Sequence, residues 1–436
     1  VPVRRCFLTT PSDSFEARMG RREFIVLISM LMALTALAID MMLPAFGDMR
    51  ADFGLSGDSN AIALVVTVFF IGIGLGQLAW GPLADALGRK RVLWLGLGIY
   101  IVGALGGALA PSLEVLLLWR LLSGLGAAGV RVVTFGTVRD RYQGDEMAKT
   151  LSYVMAIFVL VPMVAPSLGT VVLAFGAWRW VFVFFALAAV AAAAWSLRLP
   201  ETLPASERIP LRLHDLIDAG RVVMSSRFTM GLTLAQALLF GFFASYLASS
   251  QLIVEDVFGL AAWFPLIFGA TSLVFGLAMF TNARLIDRYG LRQMVRRALN
   301  AYLAAAAFFV LIALVSGGRP PFWLYLLGLV PVLLSQAFSV PNLNSAAMMP
   351  MGRVAGTAAA LIGAISTLGG AAIGAVIDSA YDGSVTPFAL SALVLVVLAM
   401  VLARWSDAVW ERDAERQVLT PAEQARATGA APIEVG

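Results

Sequence analysis

The stretch GPLADALGRKRV at residues 81–92 recurs as ARLIDRYGLRQM at residues 283–294, an offset of 202 residues. Identical or chemically similar residues occupy matching positions of the two copies: Leu83/Leu285, Asp85/Asp287, Gly88/Gly290 and Lys90/Arg292. Each copy follows the second apolar run of its half of the chain. Repeats that run in the same direction are typical of proteins built from two similar membrane-embedded halves, so the sequence predicts two copies of one six-helix unit.

Apolar residues make up 60% of the 436-residue chain and charged residues only 13%. Soluble domains average about 45–50% apolar and 25% charged residues, so this composition indicates a protein embedded in a lipid bilayer. About 20 apolar residues in a helix cross a bilayer core of about 30 Å, and the sequence contains twelve such runs. We therefore predict an all-α membrane protein with twelve transmembrane helices in two pseudo-symmetric six-helix bundles.

The runs divide the chain into an N-terminal tail, an N-terminal bundle, a Pro-rich charged linker, a C-terminal bundle and a C-terminal tail. Their predicted bounds are 1–23, 24–199, 200–227, 228–406 and 407–436. Twenty-six of the 31 Lys and Arg lie in the two tails and in alternate loops. Because cytoplasmic loops collect Lys and Arg, we predict a multi-pass protein of the inner (plasma) membrane with both termini in the cytoplasm. The basic residues then mark topology and not a nucleic-acid site.

The sequence offers little for metal or hydrolytic chemistry. It has one cysteine, Cys6, and one histidine, His214, too few for a Cys/His zinc site or for a catalytic triad within the membrane. The glycines at 72, 74 and 76 lie in an apolar run and no GxxxxGK[ST] stretch occurs, so nucleotide binding is not expected. We predict no metal, no cofactor and no enzymatic activity.

Two ionisable residues, Asp40 and Arg120, lie well inside apolar runs at similar depths. Each is about six residues, or about 9 Å, from the same face of the membrane. Such residues usually face a polar cavity or a partner, because burying them in lipid costs several kcal/mol. Burial favours the neutral acid and a nearby arginine favours the carboxylate, so wetting or ligand entry could load and release a proton. We interpret the two residues as a proton-coupling site; the alternative is a static buried ion pair.

Polar and flexible side chains within the runs are candidates for lining a substrate cavity. Methionine and aromatic surfaces accept varied apolar ligands, whereas uncharged polar groups add hydrogen bonds or simply join helices. The candidates are Met41, Met42, Gln77, Arg131, Gln236, Tyr246, Asn342 and Asn344. For Arg131, the alternative is a long side chain that extends to the membrane surface.

The repeated stretches place opposite charges at the membrane surface, which suggests a gate of salt bridges. The candidate gate residues are Gly81, Asp85, Gly88, Arg89, Lys90, Asp287 and Arg292. The alternative is that these charges only set the topology. In the fifth run, Pro162, Pro166 and Gly169 predict a helix that bends and packs closely against a neighbour.

Several of these stretches resemble motifs of a known family. GPLADALGRKR resembles the loop signature of the major facilitator superfamily, LLLWRLLSGLGAAG (116–129) its fourth-helix arginine motif, and LVPMVAPSLG (160–169) its antiporter motif. More narrowly, AIDMMLPAF (38–46), VRDRY (138–142) and LPETL (199–203) are similar to the Bcr/CflA drug-resistance branch.

This resemblance implies alternating access between two six-helix bundles and export of small drug-like molecules in exchange for protons. It also implies that Asp40 and Arg120 serve proton coupling, that residues 81–90 form a cytoplasmic gate, and that Pro166 and Gly169 form the antiporter hinge. The branch usually reads ID-x-YLPALP, so Met42 and Phe46 depart from its pattern and leave the choice of substrate open.

We therefore predict a monomeric transporter that exports small amphipathic compounds by proton antiport and needs no cofactor beyond the proton gradient. Its expected partners are a small-molecule substrate, protons and the lipid bilayer. An exporter of a polar metabolite, such as a sugar or an amino acid, is the alternative on the same fold. A polytopic membrane enzyme and a membrane sensor are the alternatives of other classes.

Overall fold

The computed structural model describes residues 19–55, 60–211 and 213–418, which contain helices and no strand. In chain order the α-helices are α1 (Arg21–Asp40), α2 (Phe46–Asp52), α3 (Leu64–Leu87), α4 (Arg89–Ala108), α5 (Leu113–Arg141), α6 (Gly144–Ala174), α7 (Arg179–Ser196), α8 (Leu213–Ser225), α9 (Arg227–Leu252), α10 (Phe264–Tyr289), α11 (Leu291–Val315), α12 (Phe322–Met348), α13 (Ala355–Ser379) and α14 (Thr386–Val418). Twelve segments are long and apolar enough to cross a membrane, with α2 extending the first of them. The predicted all-α, twelve-span architecture is confirmed.

The helices pack as two bundles of six spans. In the N-terminal bundle α5 packs against α3 and α4, and α1 packs against α6; in the C-terminal bundle α9 packs against α13 and α14, and α11 against α12. The bundles meet mainly through α3 against α13 and α6 against α10. The second span of each half thus packs against the fifth span of the other half, as expected for two pseudo-symmetric copies.

The repeated stretches have the same backbone at the same place in each bundle. Gly88 ends α3 and precedes α4 with φ of 97°, and Gly290 ends α10 and precedes α11 with φ of 77°. Residues with a side chain rarely adopt this conformation, whereas glycine adopts it at little cost. The repeat in the sequence therefore encodes the same tight turn twice.

Two segment boundaries differ from the sequence-based prediction. The linker expected at 200–227 contains a helix of its own, α8, and α14 continues to Val418 instead of ending near 406. Charged residues such as Asp407 and Glu411 near the end of α14 make an apolar run stop earlier than the helix does. The N-terminal tail, apart from residues 19–23, and the C-terminal tail beyond Val418 lie outside the described residues.

We call the face at which α1 begins and α14 ends the terminal face, and the opposite face the distal face. The bundles contact each other near the distal face and at mid-membrane. Phe70 packs edge-on against Phe240 with ring centroids 5.3 Å apart, and a Cβ at Gly363 would lie 2.6 Å from Gln77 Oε1. At the end of α3 near the terminal face, a Cβ at Gly81 would meet nothing within 4 Å. At the distal face, Arg50 donates to Asp256 and Asn60 donates to the backbone carbonyl of Asp378, so the bundles are joined on the distal side.

Candidate functional site

Asp40 is the last residue of α1 and lies within the protein, with only 3% of its surface exposed. Its Oδ1 atom has no hydrogen-bond partner among the described residues. A buried carboxylate without a partner pays the full cost of losing water, whereas the neutral acid pays much less. The site is therefore one at which a proton can be held.

Arg120 of α5 is 1% exposed and does not form an ion pair with Asp40. Its Nε donates to the carbonyl of Val65 at 3.0 Å and its Nη2 donates to the carbonyl of Ala38 at 2.9 Å. The guanidinium centre also lies 4.1 Å from the ring centroid of Phe69, within cation–π range. Arg120 thus joins α5 to α3 and to α1 two residues before Asp40, and the static ion pair weighed from the sequence is not formed.

Tyr246 of α9, in the opposite bundle, lies close enough to Asp40 for the two groups to interact electrostatically. Its hydroxyl shares a hydrogen bond with Thr271 Oγ1 at 2.9 Å, and its ring stacks on Phe268 with centroids 5.8 Å apart. One turn earlier, Phe243 stacks on Phe275 at 5.3 Å. The C-terminal bundle therefore presents stacked aromatic rings, and the hydroxyl group of Tyr246, toward the bundle that holds Asp40.

The other candidate cavity residues fall into three groups. Met41 and Met42 are fully buried at the turn after α1. Asn342 pairs with Asn282 through two amide hydrogen bonds of 3.0 and 3.1 Å, so it joins α12 to α10 within one bundle. Asn344 is exposed. Only the first group lies next to Asp40.

Three further candidates are polar residues of the spans, with Gln77 and Arg131 in the N-terminal bundle and Gln236 in the C-terminal bundle. Gln77 and Gln236 are each 9% exposed, and Gln236 Oε1 has no hydrogen-bond partner among the described residues. Arg131 of α5 is exposed and forms no ion pair with any residue that the structure describes. A cation inside a span usually faces a water-filled space or a partner.

Three of the predicted gate residues, Asp85, Arg89 and Lys90, form a network of polar contacts within the N-terminal bundle and the linker. Arg89 binds Asp85 at 2.7 Å and Asp140 of α5 at 2.8 Å. Glu201 accepts hydrogen bonds from the backbone N–H groups of Arg89 at 2.9 Å and Lys90 at 3.2 Å. Glu201 thereby caps the start of α4, where the helix dipole favours an anion.

The corresponding stretch of the C-terminal bundle does not join this network among the described residues. Asp287 is exposed, and the Arg292 guanidinium lies 5.0 Å from the ring centroid of Trp410 on α14. The sequence could not separate these environments because the two stretches share their charge pattern, whereas Asp140 and Glu201 have to be brought in from other elements.

The proline- and glycine-rich part of α6 packs directly against the Asp40 site. Pro162 and Pro166 lie within α6, which continues as a helix through both. A Cβ at Gly169 would clash with the backbone carbonyl of Met41, the residue after Asp40. Glycine at 169 therefore lets α6 touch the turn that ends α1.

On the distal face, the structure adds an ionic contact between the bundles that the sequence did not predict. Arg50 of α2 donates to both carboxylate oxygens of Asp256 at 3.3 and 3.1 Å, and Glu255 lies 3.6 Å away. Tyr381, in the loop after α13, lies beside this contact, and burial together with the charge of Asp256 raises its pKa.

A second buried carboxylate, Asp378, also lies between the bundles near the distal face. It is 5% exposed and accepts hydrogen bonds from the hydroxyls of Ser245 and Ser249. The apolar run of α13 was expected to end before this residue, and extending that run by two residues would have revealed an acid inside a span.

The fold defines a class of protein: a membrane protein with twelve spans packed as two six-helix bundles. Residues 28–375 match the family model described as Major Facilitator Superfamily, and the chain belongs to this family. The protein is thus a transporter and not an enzyme.

Two relatives in bacteria carry names from drug resistance. The bicyclomycin resistance protein homolog of Haemophilus influenzae is 27% identical, with 87% of this chain and 94% of the relative covered. The chloramphenicol resistance protein of Pseudomonas aeruginosa is 30% identical, with 82% and 86% covered. The predicted resemblance to a drug-resistance branch is confirmed.

Solved structures support the same fold. A D-xylose–proton symporter aligns with a TM-score of 0.70 at 12% identity, covering 86% of this chain and 96% of that one. The human organic anion transporter MFSD10 aligns with a TM-score of 0.63 at 21% identity, covering 87% and 99%. At such low sequence identities, these structures are evidence for the fold alone.

Proposed function

We propose that the protein exports small drug-like or amphipathic compounds across the inner membrane in exchange for protons. The names of the bacterial relatives support this substrate class. The distribution of Lys and Arg supports a cytoplasmic terminal face and a periplasmic distal face. The unit that works is a monomer, because each chain holds a complete pair of bundles.

The observation that carries the proposal is the buried carboxyl of Asp40, whose Oδ1 has no hydrogen-bond partner among the described residues. In the present state the distal side is closed, so a weakly polar substrate approaches from the terminal face. Opening toward the periplasm wets Asp40 and admits a proton. Protonation removes a charge from the site and favours the return to the closed state without substrate.

Aromatic rings and thioether side chains close to Asp40 support weakly polar cargo. Phe243, Tyr246, Met41 and Met42 offer apolar, polarizable surface, whereas a sugar would require many paired hydrogen-bond groups. A polar metabolite is the alternative cargo on this fold, and the experiment below therefore includes a sugar and an amino acid.

The test is proton flux in proteoliposomes that contain the purified full chain and a pH-sensitive dye. With a proton gradient imposed, adding chloramphenicol is expected to release protons in the wild type and to produce no release in Asp40→Asn. Asp48→Asn is the matched control, since Asp48 lies on α2 and is exposed. Proton release in Asp40→Asn equal to wild type would refute the coupling role. Release with xylose or alanine but with no amphipathic compound would assign the protein to metabolite export.

A further inference from the structure

Asp378 is a buried acid that the transport cycle described above does not use. It lies in the last turn of α13, and its Oδ1 accepts hydrogen bonds from Ser245 Oγ at 2.5 Å and Ser249 Oγ at 2.7 Å. Its Oδ2 is buried and has no donor among the described residues. Hydrogen bonds therefore stabilise a negative charge at Oδ1, whereas Oδ2 receives no such stabilisation.

The helix that carries Asp378 makes a negative charge there still less favourable. The C-terminal end of a helix carries partial negative charge, so a carboxylate in the last turn is repelled. Among the described residues, no Lys, Arg or His forms an ion pair with Asp378. With one oxygen unpartnered and no cation in contact, the buried group is more stable as the neutral acid.

The other charged and titratable groups of this region lie on each surrounding element. They are Tyr246 on α9, Glu255 and Asp256 just after α9, Arg50 on α2, and Tyr381 and Asp382 after α13. Arg50 is engaged by the two acids after α9. Arg50 is thus bound to carboxylates other than Asp378.

Asp378 belongs to the C-terminal bundle, but its surroundings are completed by the N-terminal bundle. Asn60, just before α3, donates through Nδ2 to the backbone carbonyl of Asp378 at 3.0 Å and to Ser249 Oγ at 3.0 Å. The hydroxyl of Ser249 is therefore shared between the acid of one bundle and the amide of the other. Separation of the bundles on the distal side removes Asn60 and admits water to the carboxyl.

We propose that Asp378 is a second proton-binding site, which takes up a proton from the distal side when the bundles close there and returns it to that side when they open. Its proton does not cross the membrane, unlike that of Asp40. The bound proton makes distal closure depend on external acidity. This inference rests on the proposed alternation between the two faces, and adds a regulated step to it.

The test measures the distance between the bundles as a function of pH. Cysteines are placed at exposed distal positions of the two bundles, as Ala51→Cys and Ala262→Cys, after the one native cysteine is removed by Cys6→Ser. Spin labels on the full chain in nanodiscs then report the closed and open populations. Lowering the pH is expected to increase the closed population, and Asp378→Asn, which mimics the neutral acid, should stay closed at every pH.

Ser245→Ala provides a milder variant in case Asp378→Asn folds poorly, because Ser245 donates to Asp378, whereas Ser249 also accepts a hydrogen bond from Asn60 of the other bundle. It removes one hydrogen bond to the carboxylate, so the midpoint of the closing transition should move upward by about one pH unit. A pH response unchanged in both variants would overturn the proposal. A response that follows sodium at fixed pH, when choline replaces it, would equally overturn it in favour of a metal cation.

Asp40→Asn in the same labelled protein separates this inference from the proposed function. It should lose substrate-dependent proton flux yet retain the distal pH response. Loss of the distal response in Asp40→Asn, with retention in Asp378→Asn, would transfer the regulatory role to Asp40. Failure of the flux assay alone, with the Asp378 response intact, would refute only the exchange mechanism.

Discussion

Arg50 of the N-terminal bundle and Asp256 of the C-terminal bundle form a two-bond ion pair across the distal face, with N–O distances of 3.3 and 3.1 Å. The Arg50 side chain is 9% exposed and that of Asp256 is 23% exposed. Hydrogen bonds between ionised groups are stronger than those between neutral groups, and the two parallel bonds fix the orientation of the pair. This ion pair, like the Asn60 contact, joins the two bundles on the distal side.

Replacing Arg50 with alanine is therefore expected to shift the protein toward the state that is open on the distal side. Loss of hydrogen bonds to a charged group costs about 1.5–3 kcal/mol, or about a tenfold or greater change in the closed-to-open ratio. The Ala51/Ala262 label pair measures this ratio. Arg319→Ala is the matched control, because Arg319 is an exposed distal arginine in the loop before α12. The double variant Arg50→Asp with Asp256→Arg exchanges the two charges and should restore the closed population. If it does not, loss of the ion pair is not the cause of the shift in Arg50→Ala.

Arg120→Lys is expected to express and to fold, but to transport slowly. One ammonium group cannot donate along both directions that the guanidinium uses toward Val65 and Ala38, because the planar fork of arginine is lost. We expect about a tenfold lower rate of substrate-dependent proton flux, from a rise in the barrier of about 1.4 kcal/mol. Arg179→Lys, at a distal ion pair with Asp52 outside this site, is the control. Equal rates in the two variants would show that Arg120 has no positioning role.

The sequence predicted the fold because its main features are local. An apolar run of twenty residues has few alternatives to a membrane helix, and the tight turns at Gly88 and Gly290 are encoded by similar stretches 202 residues apart. The two buried ionisable residues were also visible, because Asp40 and Arg120 interrupt otherwise apolar runs. Their roles remain predictions.

The sequence did not predict which polar groups meet across the bundles. Arg50 and Asp256 are separated by 206 positions. In the sequence, neither differs from any other charged residue near the end of a helix. Asn342 seemed a cavity residue because a span with an amide has the same sequence whether the amide faces a substrate or, as here, Asn282. Contacts of this kind depend on how the bundles pack.

Within the network at the start of α4, Asp140→Asn should impair transport more than Asp85→Asn. Both carboxylates bind Arg89, but the side chain of Asp140 is 12% exposed and that of Asp85 is 37% exposed. Removing one partner of an ion pair that is shielded from water leaves an uncompensated charge and costs more than breaking an exposed pair, which is worth about 0–1 kcal/mol. Initial rates of substrate-dependent proton flux give the comparison, with Asp287→Asn as the exposed counterpart in the other bundle. A larger loss in Asp85→Asn would instead mean that Asp85 acts in another state of the cycle.

Gly169→Ala is expected to abolish transport, because the added methyl group cannot fit between α6 and the turn that follows Asp40. The new Cβ would overlap the Met41 carbonyl, which is backbone and cannot rotate away. Overpacking of this kind typically costs about 1–3 kcal/mol, so the melting temperature of the purified protein should fall as well. Gly98→Ala on α4 is the matched control, since a Cβ there would meet nothing within 4 Å. Because alanine is the better helix former in an open position, this control should retain full transport and melt no lower than the wild type. Full activity in Gly169→Ala would mean that α6 does not need to touch the Asp40 turn during the cycle.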